Sequence, residues 1–120
     1  MTRYQTILVP DWQGANAGHW QRLWADQLPG AQWFSPPDET TPHRQAWVES
    51  LEALVLAADA PVLLVAHGIG CIAVSHLGPE AAARISGALL VAPADPERRA
   101  QLSSFAPVPY APLPYRSVMV

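Results

Sequence analysis

The residues with the clearest chemical meaning are Ala66-His67-Gly68-Ile69-Gly70, which follow the apolar run Pro61 to Ala66 and precede a helix-like Cys71-Ile72-Ala73-Val74. A nucleophile elbow of the form Gly-x-Ser-x-Gly has this layout: a buried strand turns sharply into a helix and lifts a serine hydroxyl above the carboxyl edge of a sheet. The flanking residues here are small, as close strand and helix packing demands, but the centre is Gly68. The scaffold for a nucleophile is present and the attacking oxygen is not. An elbow residue sits at positive φ, a strain of about 1–3 kcal/mol for a residue with a Cβ and little for glycine. Gly68 is therefore expected to relieve strain while removing covalent catalysis.

Other reactive side chains are read against plainer roles. His67 adjoins the elbow, which should turn its side chain away from the central position, so it is read as structural. His19 opens a helix, where packing and pocket lining both stay open; His43 and His76 read as surface residues. Ser75 lies about one and a half turns beyond the elbow, too far along the helix to replace the nucleophile. Cys71 lies three residues past Gly68 and is expected to point into helix packing rather than act as a thiolate. Asp11, Asp38 and Asp95 follow strand ends, where loop capping is their expected duty. Trp12 and Trp20 suit pocket wall or core equally, whereas Trp24, Trp33 and Trp47 are expected in the core.

Composition narrows the class. The chain has 120 residues, half of them apolar, enough for one domain with a real core. All seven basic residues are arginine and the net charge is −3, with no basic cluster to hold nucleic acid or an anionic membrane. No apolar stretch approaches the roughly 20 residues of a membrane span and the start lacks signal-peptide character, so a cytoplasmic address is expected. One cysteine excludes an internal disulfide, and no metal-ligand spacing is present. No metal or cofactor is expected.

The elements that must position the elbow follow from periodicity. Thr6 to Val9 reads as a buried strand leading into the loop Asp11 to Gly18. Trp20, Leu23, Trp24 and Leu28 form one helical stripe that should lie on a sheet, ended by Pro29-Gly30. Gln32-Trp33-Phe34 reads as a short strand. Thr41 and Pro42 suit the N-cap and first position of a helix whose apolar face is Trp47, Leu51, Leu54, Val55 and Ala58. Pro61 to Ala66 is apolar on both faces, the mark of a central parallel strand. The elbow helix should run toward Leu77, with a further turn over residues 80–84. Gly87 to Ala92 is another strand, residues 97–102 a short helix, and the prolines from 107 to 114 imply an extended connector. Ser117 to Val120 opens a fifth strand. These elements imply an α/β doubly wound parallel sheet in three layers, order 2-1-3-4-5, with ligands bound between the first and third strands.

Three segments in order, Leu8-Val9-Pro10-Asp11-Trp12-Gln13-Gly14 with Gly18-His19-Trp20-Gln21, then Val65 to Cys71, then Leu89-Leu90-Val91-Ala92-Pro93-Ala94-Asp95-Pro96, resemble the YdeN-like serine hydrolases, the family that includes retinoblastoma-binding protein nine. The resemblance implies a compact α/β-hydrolase fold and esterase or acyl-hydrolase ancestry. It places the missing nucleophile serine at Gly68, the oxyanion donors at the backbone N–H groups of Trp12 and Ile69, and pocket residues at Gln13, His19 and Asp95. It further implies that residues 112–120 resemble the strand before the triad aspartate, so that the triad aspartate and histidine are expected beyond residue 120. The chain is thus expected to be an incomplete domain, inactive as written, with a pseudoenzyme that binds a small acyl ligand or a protein partner as the alternative, and a reading frame with no independent role as a third. An unpaired fifth strand would leave a sheet edge for a homodimer.

Overall fold

In the computed structural model, which describes residues 3–12, 18–37, 41–109 and 112–120, the elements alternate as the periodicity requires. They are β1 (Gln5–Val9), α1 (Trp20–Gln27), β2 (Gln32–Trp33), α2 (Arg44–Leu56), β3 (Val62–His67), α3 (Ile69–Ser75), α4 (Pro79–Ala82), β4 (Ile85–Val91), two 3-10 turns (Pro96–Arg98 and Ala100–Phe105) and β5 (Arg116–Met119). The strands pair in parallel in the order β2-β1-β3-β4-β5, with Val9 opposite Ala66 and Ala66 opposite Leu90. β1 and β3 are neighbours, so the loop after β1 and the turn after β3 leave the sheet side by side. A five-stranded, all-parallel α/β sheet is the result. No helix among the described residues is long and apolar enough to cross a membrane.

Alternation along the strands divides the side chains between two faces. On one face Leu64, Ala66, Ala88 and Leu90 are buried with Trp47, Leu51 and Val55 of α2, Ile69 and Ile72 of α3, and Phe105. Trp47 makes edge contacts with Phe34 and Phe105, both at 5.7 Å between ring centroids, so one large aromatic ties β2's exit and the second 3-10 turn to α2. On the other face Leu63, Val65, Leu89 and Val118 line an open apolar trough of about 580 Å³ beside Trp24.

The trough corrects two expectations. Trp24 is 41% exposed and Leu23 48% exposed, so the apolar stripe of α1 is not laid on a sheet as its spacing suggests. The described residues put nothing over the strip of sheet that Trp24 borders, and the one fully buried residue of α1 is the polar Gln21. Trp33 is half-buried beneath the Arg22 guanidinium, which lies 3.7 Å from its ring centroid. The start of α2 also differs: its N-cap is His43, not Thr41, and His43 makes no side-chain cap bond. The hydroxyl of Ser104 does the capping, accepting from Arg44 N–H at 3.0 Å across sixty residues of chain, which local sequence could not disclose. His76 is not a surface residue: it ends α3, half-buried, with Nε2 3.2 Å from the Phe105 carbonyl. Burial lowers its pKa foremost, with the Phe105 hydrogen bond opposing and nearby Arg44 adding to the fall.

Candidate active site at the strand-to-helix turn

β3 ends at His67, α3 begins at Ile69, and Gly68 alone makes the bend at φ 60° and ψ −127°. That backbone lies in a region closed to residues with a Cβ except under strain, as the elbow pattern predicts. The bend is fastened on both sides. Gly68 N–H donates to the Val91 carbonyl at 3.2 Å, and its own carbonyl accepts from Cys71 N–H at 3.1 Å and Ala94 N–H at 3.2 Å. The loop after β4, which carries Asp95, is thereby tied to the turn.

Gly70 permits the helix to start so close to the sheet. A Cβ there would stand 2.7 Å from the carbonyl oxygens of both Val9 and Pro10. The small flanking residue read from the sequence is therefore a requirement of approach between α3 and the end of β1.

Two backbone donors meet at the bend. Ile69 N–H and Trp12 N–H each donate to Oδ1 of Asp11 at 2.9 Å. One carboxylate oxygen thus takes both groups that the family resemblance implies as oxyanion donors. The carboxylate also fills the space above Gly68: a Cβ built there would lie 2.5 Å from each Asp11 oxygen. Asp11 caps a loop, as expected, but the sequence reading missed which donors it would satisfy. The available signal was a short carboxylate placed immediately before Trp12 and opposite a glycine.

Gln21 was the second omission. Fully buried, it donates through Nε2 to the carbonyls of Val9 at 3.1 Å and Val65 at 3.0 Å, clamping the ends of β1 and β3 that carry the site. Both acceptors are carbonyls, so the amide must present its NH₂ to them. The signal was a polar residue three positions before Trp24 on the inward face of a helix.

Two histidines lie together beside the start of α1. His19 is the N-cap of α1, its Nδ1 accepting from Gln21 N–H at 3.2 Å, and its ring lies 5.0 Å from that of His67. Its pKa is lowered by desolvation first and by His67 second, with Asp11 opposing. His67 also meets the Trp20 ring edge-on at 6.0 Å, and its Nδ1 is buried without a hydrogen-bond partner among the described residues. Ser75 Oγ donates back to the Ile72 carbonyl at 2.6 Å and is structural. Cys71 is buried, and burial pushes its thiol up to about 12, so it stays protonated at neutral pH and is no substitute nucleophile.

Asp95 accepts from Glu97 N–H at 3.0 Å and pairs with Arg98 at 3.7 Å, capping the first 3-10 turn and lining a small cavity of about 160 Å³ with Pro107 and Val108. Gln13 and Asp38 lie outside the described residues. Among the described residues no group of three or more His, Cys, Asp or Glu could hold a metal ion.

A family model described as serine hydrolase matches residues 6–120. The chain belongs to the serine hydrolase family. A crystal structure described as that of a YdeN-like hydrolase from Pectobacterium atrosepticum superposes with a TM-score of 0.83 at 25% identity, covering 98% of this chain and 62% of that one. The chain therefore spans less than two thirds of the length of that solved relative. No curated protein matches. At the turn itself Gly68 carries no side chain, and the Asp11 carboxylate from the end of the neighbouring strand lies over it.

Proposed function

We propose that this serine hydrolase family member carries an acyl-hydrolase scaffold in catalytically silent form. Ester hydrolysis through an acyl-enzyme needs a hydroxyl to attack the carbonyl, a histidine to take its proton, a carboxylate to orient that histidine, and donors for the oxyanion. Gly68 supplies no hydroxyl. The adjoining histidine, His67, has its ring against those of His19 and Trp20. The observation that carries the reading is the occupancy of the donors: Trp12 and Ile69, which we assign as the oxyanion pair, both donate to Asp11 Oδ1 at 2.9 Å. An oxyanion hole alone can retain a ~10³-fold rate over water in proteases whose triad has been removed. With the donors already engaged, that remnant is lost as well.

A fluorophosphonate probe, which labels an activated serine by displacement of fluoride, tests this directly. Intact-mass measurement after incubation is expected to show the unmodified chain. One adduct per chain would overturn the assignment.

The second reading makes the chain a binding module, and the sheet edge favours a protein partner over a small acyl ligand, which would have to displace Asp11. All four residues of β5 are exposed, and Val118, Met119 and Val120 are 61%, 69% and 73% exposed. An open strand beside an apolar trough offers both backbone groups and apolar area to a second strand. A second copy pairing through β5 is the partner inferred for these 120 residues. Sedimentation velocity is expected to give a dimer; a monodisperse monomer across the accessible concentration range would rule this pairing out.

A further inference from the structure

We propose that Asp11 is a built-in lock on the elbow: its carboxylate holds the two backbone donors and fills the volume that any side chain on residue 68 needs, so residue 11 decides whether the site can open. Three observations converge on this. The donors come from different parts of the chain, Trp12 after β1 and Ile69 at the start of α3, yet both end on the same oxygen. The three atoms nearest a Cβ on residue 68 are all in the Asp11 carboxylate, and none is backbone. The position of Asp11 is itself set by Pro10 and Val9, whose carbonyls abut Gly70, so the carboxylate is delivered to the bend by the same close approach that forms the turn.

The obstruction is therefore a side chain that can rotate, not a wall. A side chain at 68 can be accommodated only if Asp11 swings out and surrenders both charge-assisted hydrogen bonds. Restoring serine at 68 alone leaves a competition between hydroxyl and carboxylate for one space. Restoring the elbow requires changing residue 11 too. Positions 11 and 68 form one coupled unit, and the absence of a side chain at one is matched by the presence of a carboxylate at the other.

Describing the lock as inhibitory rests on the assignment of Trp12 and Ile69 as oxyanion donors; the coupling itself does not. A four-protein thermal-melt cycle of wild type, Gly68→Ala, Asp11→Ala and the double variant tests the coupling. The fall in Tm caused by Gly68→Ala is expected to shrink by half or more when Asp11 is already alanine, because only backbone strain then remains. Equal falls in both backgrounds overturn the proposal.

Amide hydrogen exchange covers the case in which Asp11→Ala does not fold. In Gly68→Ala the Trp12 and Ile69 amides are expected to exchange together, each about tenfold faster than in the wild type. Unchanged exchange at either amide overturns the proposal. Adding sodium acetate to folded Asp11→Ala separates the two ideas. Joint movement of the Trp12 and Ile69 amide resonances supports lock and oxyanion pair alike, with the wild type unmoved. Coupled melts without an acetate response support the lock and sink the oxyanion assignment.

Discussion

Gly70→Ala is expected to cost about 3 kcal/mol or more and to lower Tm by on the order of 10 °C. The added methyl would meet the Val9 and Pro10 carbonyl oxygens at 2.7 Å and Val9 Cγ1 at 3.0 Å. Two of those three atoms are backbone, one in β1 and one at its end, where Val9 is held opposite Ala66 in the parallel ladder. The carbonyls cannot withdraw without breaking that register, so α3 must move away from the sheet instead. Such a shift also separates Ile69 N–H from Asp11, which is why the change should disturb the site as well as the fold. A urea melt of the variant beside the wild type measures it, and a loss below about 1 kcal/mol would mean that α3 does not sit this close to β1.

Gln21→Met should cost about 3 kcal/mol despite preserving side-chain length and burial. The amide donates to the Val9 and Val65 carbonyls, and methionine offers them nothing. Withdrawing a donor from a buried acceptor carries a penalty of roughly 1–3 kcal/mol for each group, offset in part by the gain of apolar burial. Leu23 and Trp24 are 48% and 41% exposed, so the Gln21 amide is a principal tie of α1 to the ends of β1 and β3. The variant should therefore release α1 first. Hydrogen exchange resolved by residue is expected to quicken across residues 23–28 before the core strands change. Uniform quickening throughout the chain would instead mean that α1 and the sheet unfold as one unit.

Much of this architecture was legible in the amino-acid order because each β-strand is a local apolar run. Val62 to Ala66 is apolar on both alternating faces, which a covered central strand tolerates, and the alternation of strand and helix pointed to a doubly wound parallel sheet. The elbow was legible for a similar reason: a buried run, a small residue, glycine at the bend and a second glycine form a contiguous pattern. The helices were less transparent. The stripe Trp20, Leu23, Trp24 and Leu28 obeys helical spacing, but spacing says nothing about whether a surface lies opposite it, and Leu23 and Trp24 face the open side. The start of α2 was placed at Thr41 by local capping preference, whereas Ser104 supplies the capping oxygen from far along the chain.

Sequence alone pointed to the scaffold, through three short segments around residues 8–21, 65–71 and 89–96, and showed that residue 68 carries no side chain. Which group lies over Gly68 was decided only by the fold. Asp11 and Ile69 are 58 positions apart, and nothing in the local preferences of either assigns one to the other. They meet because β1 and β3 are adjacent and parallel, so that their carboxyl ends deliver a short carboxylate and a bare glycine to the same point. A hydrogen bond between distant residues depends on where the chain returns in space, and that return is set by packing of the whole sheet rather than by the residues that it brings together.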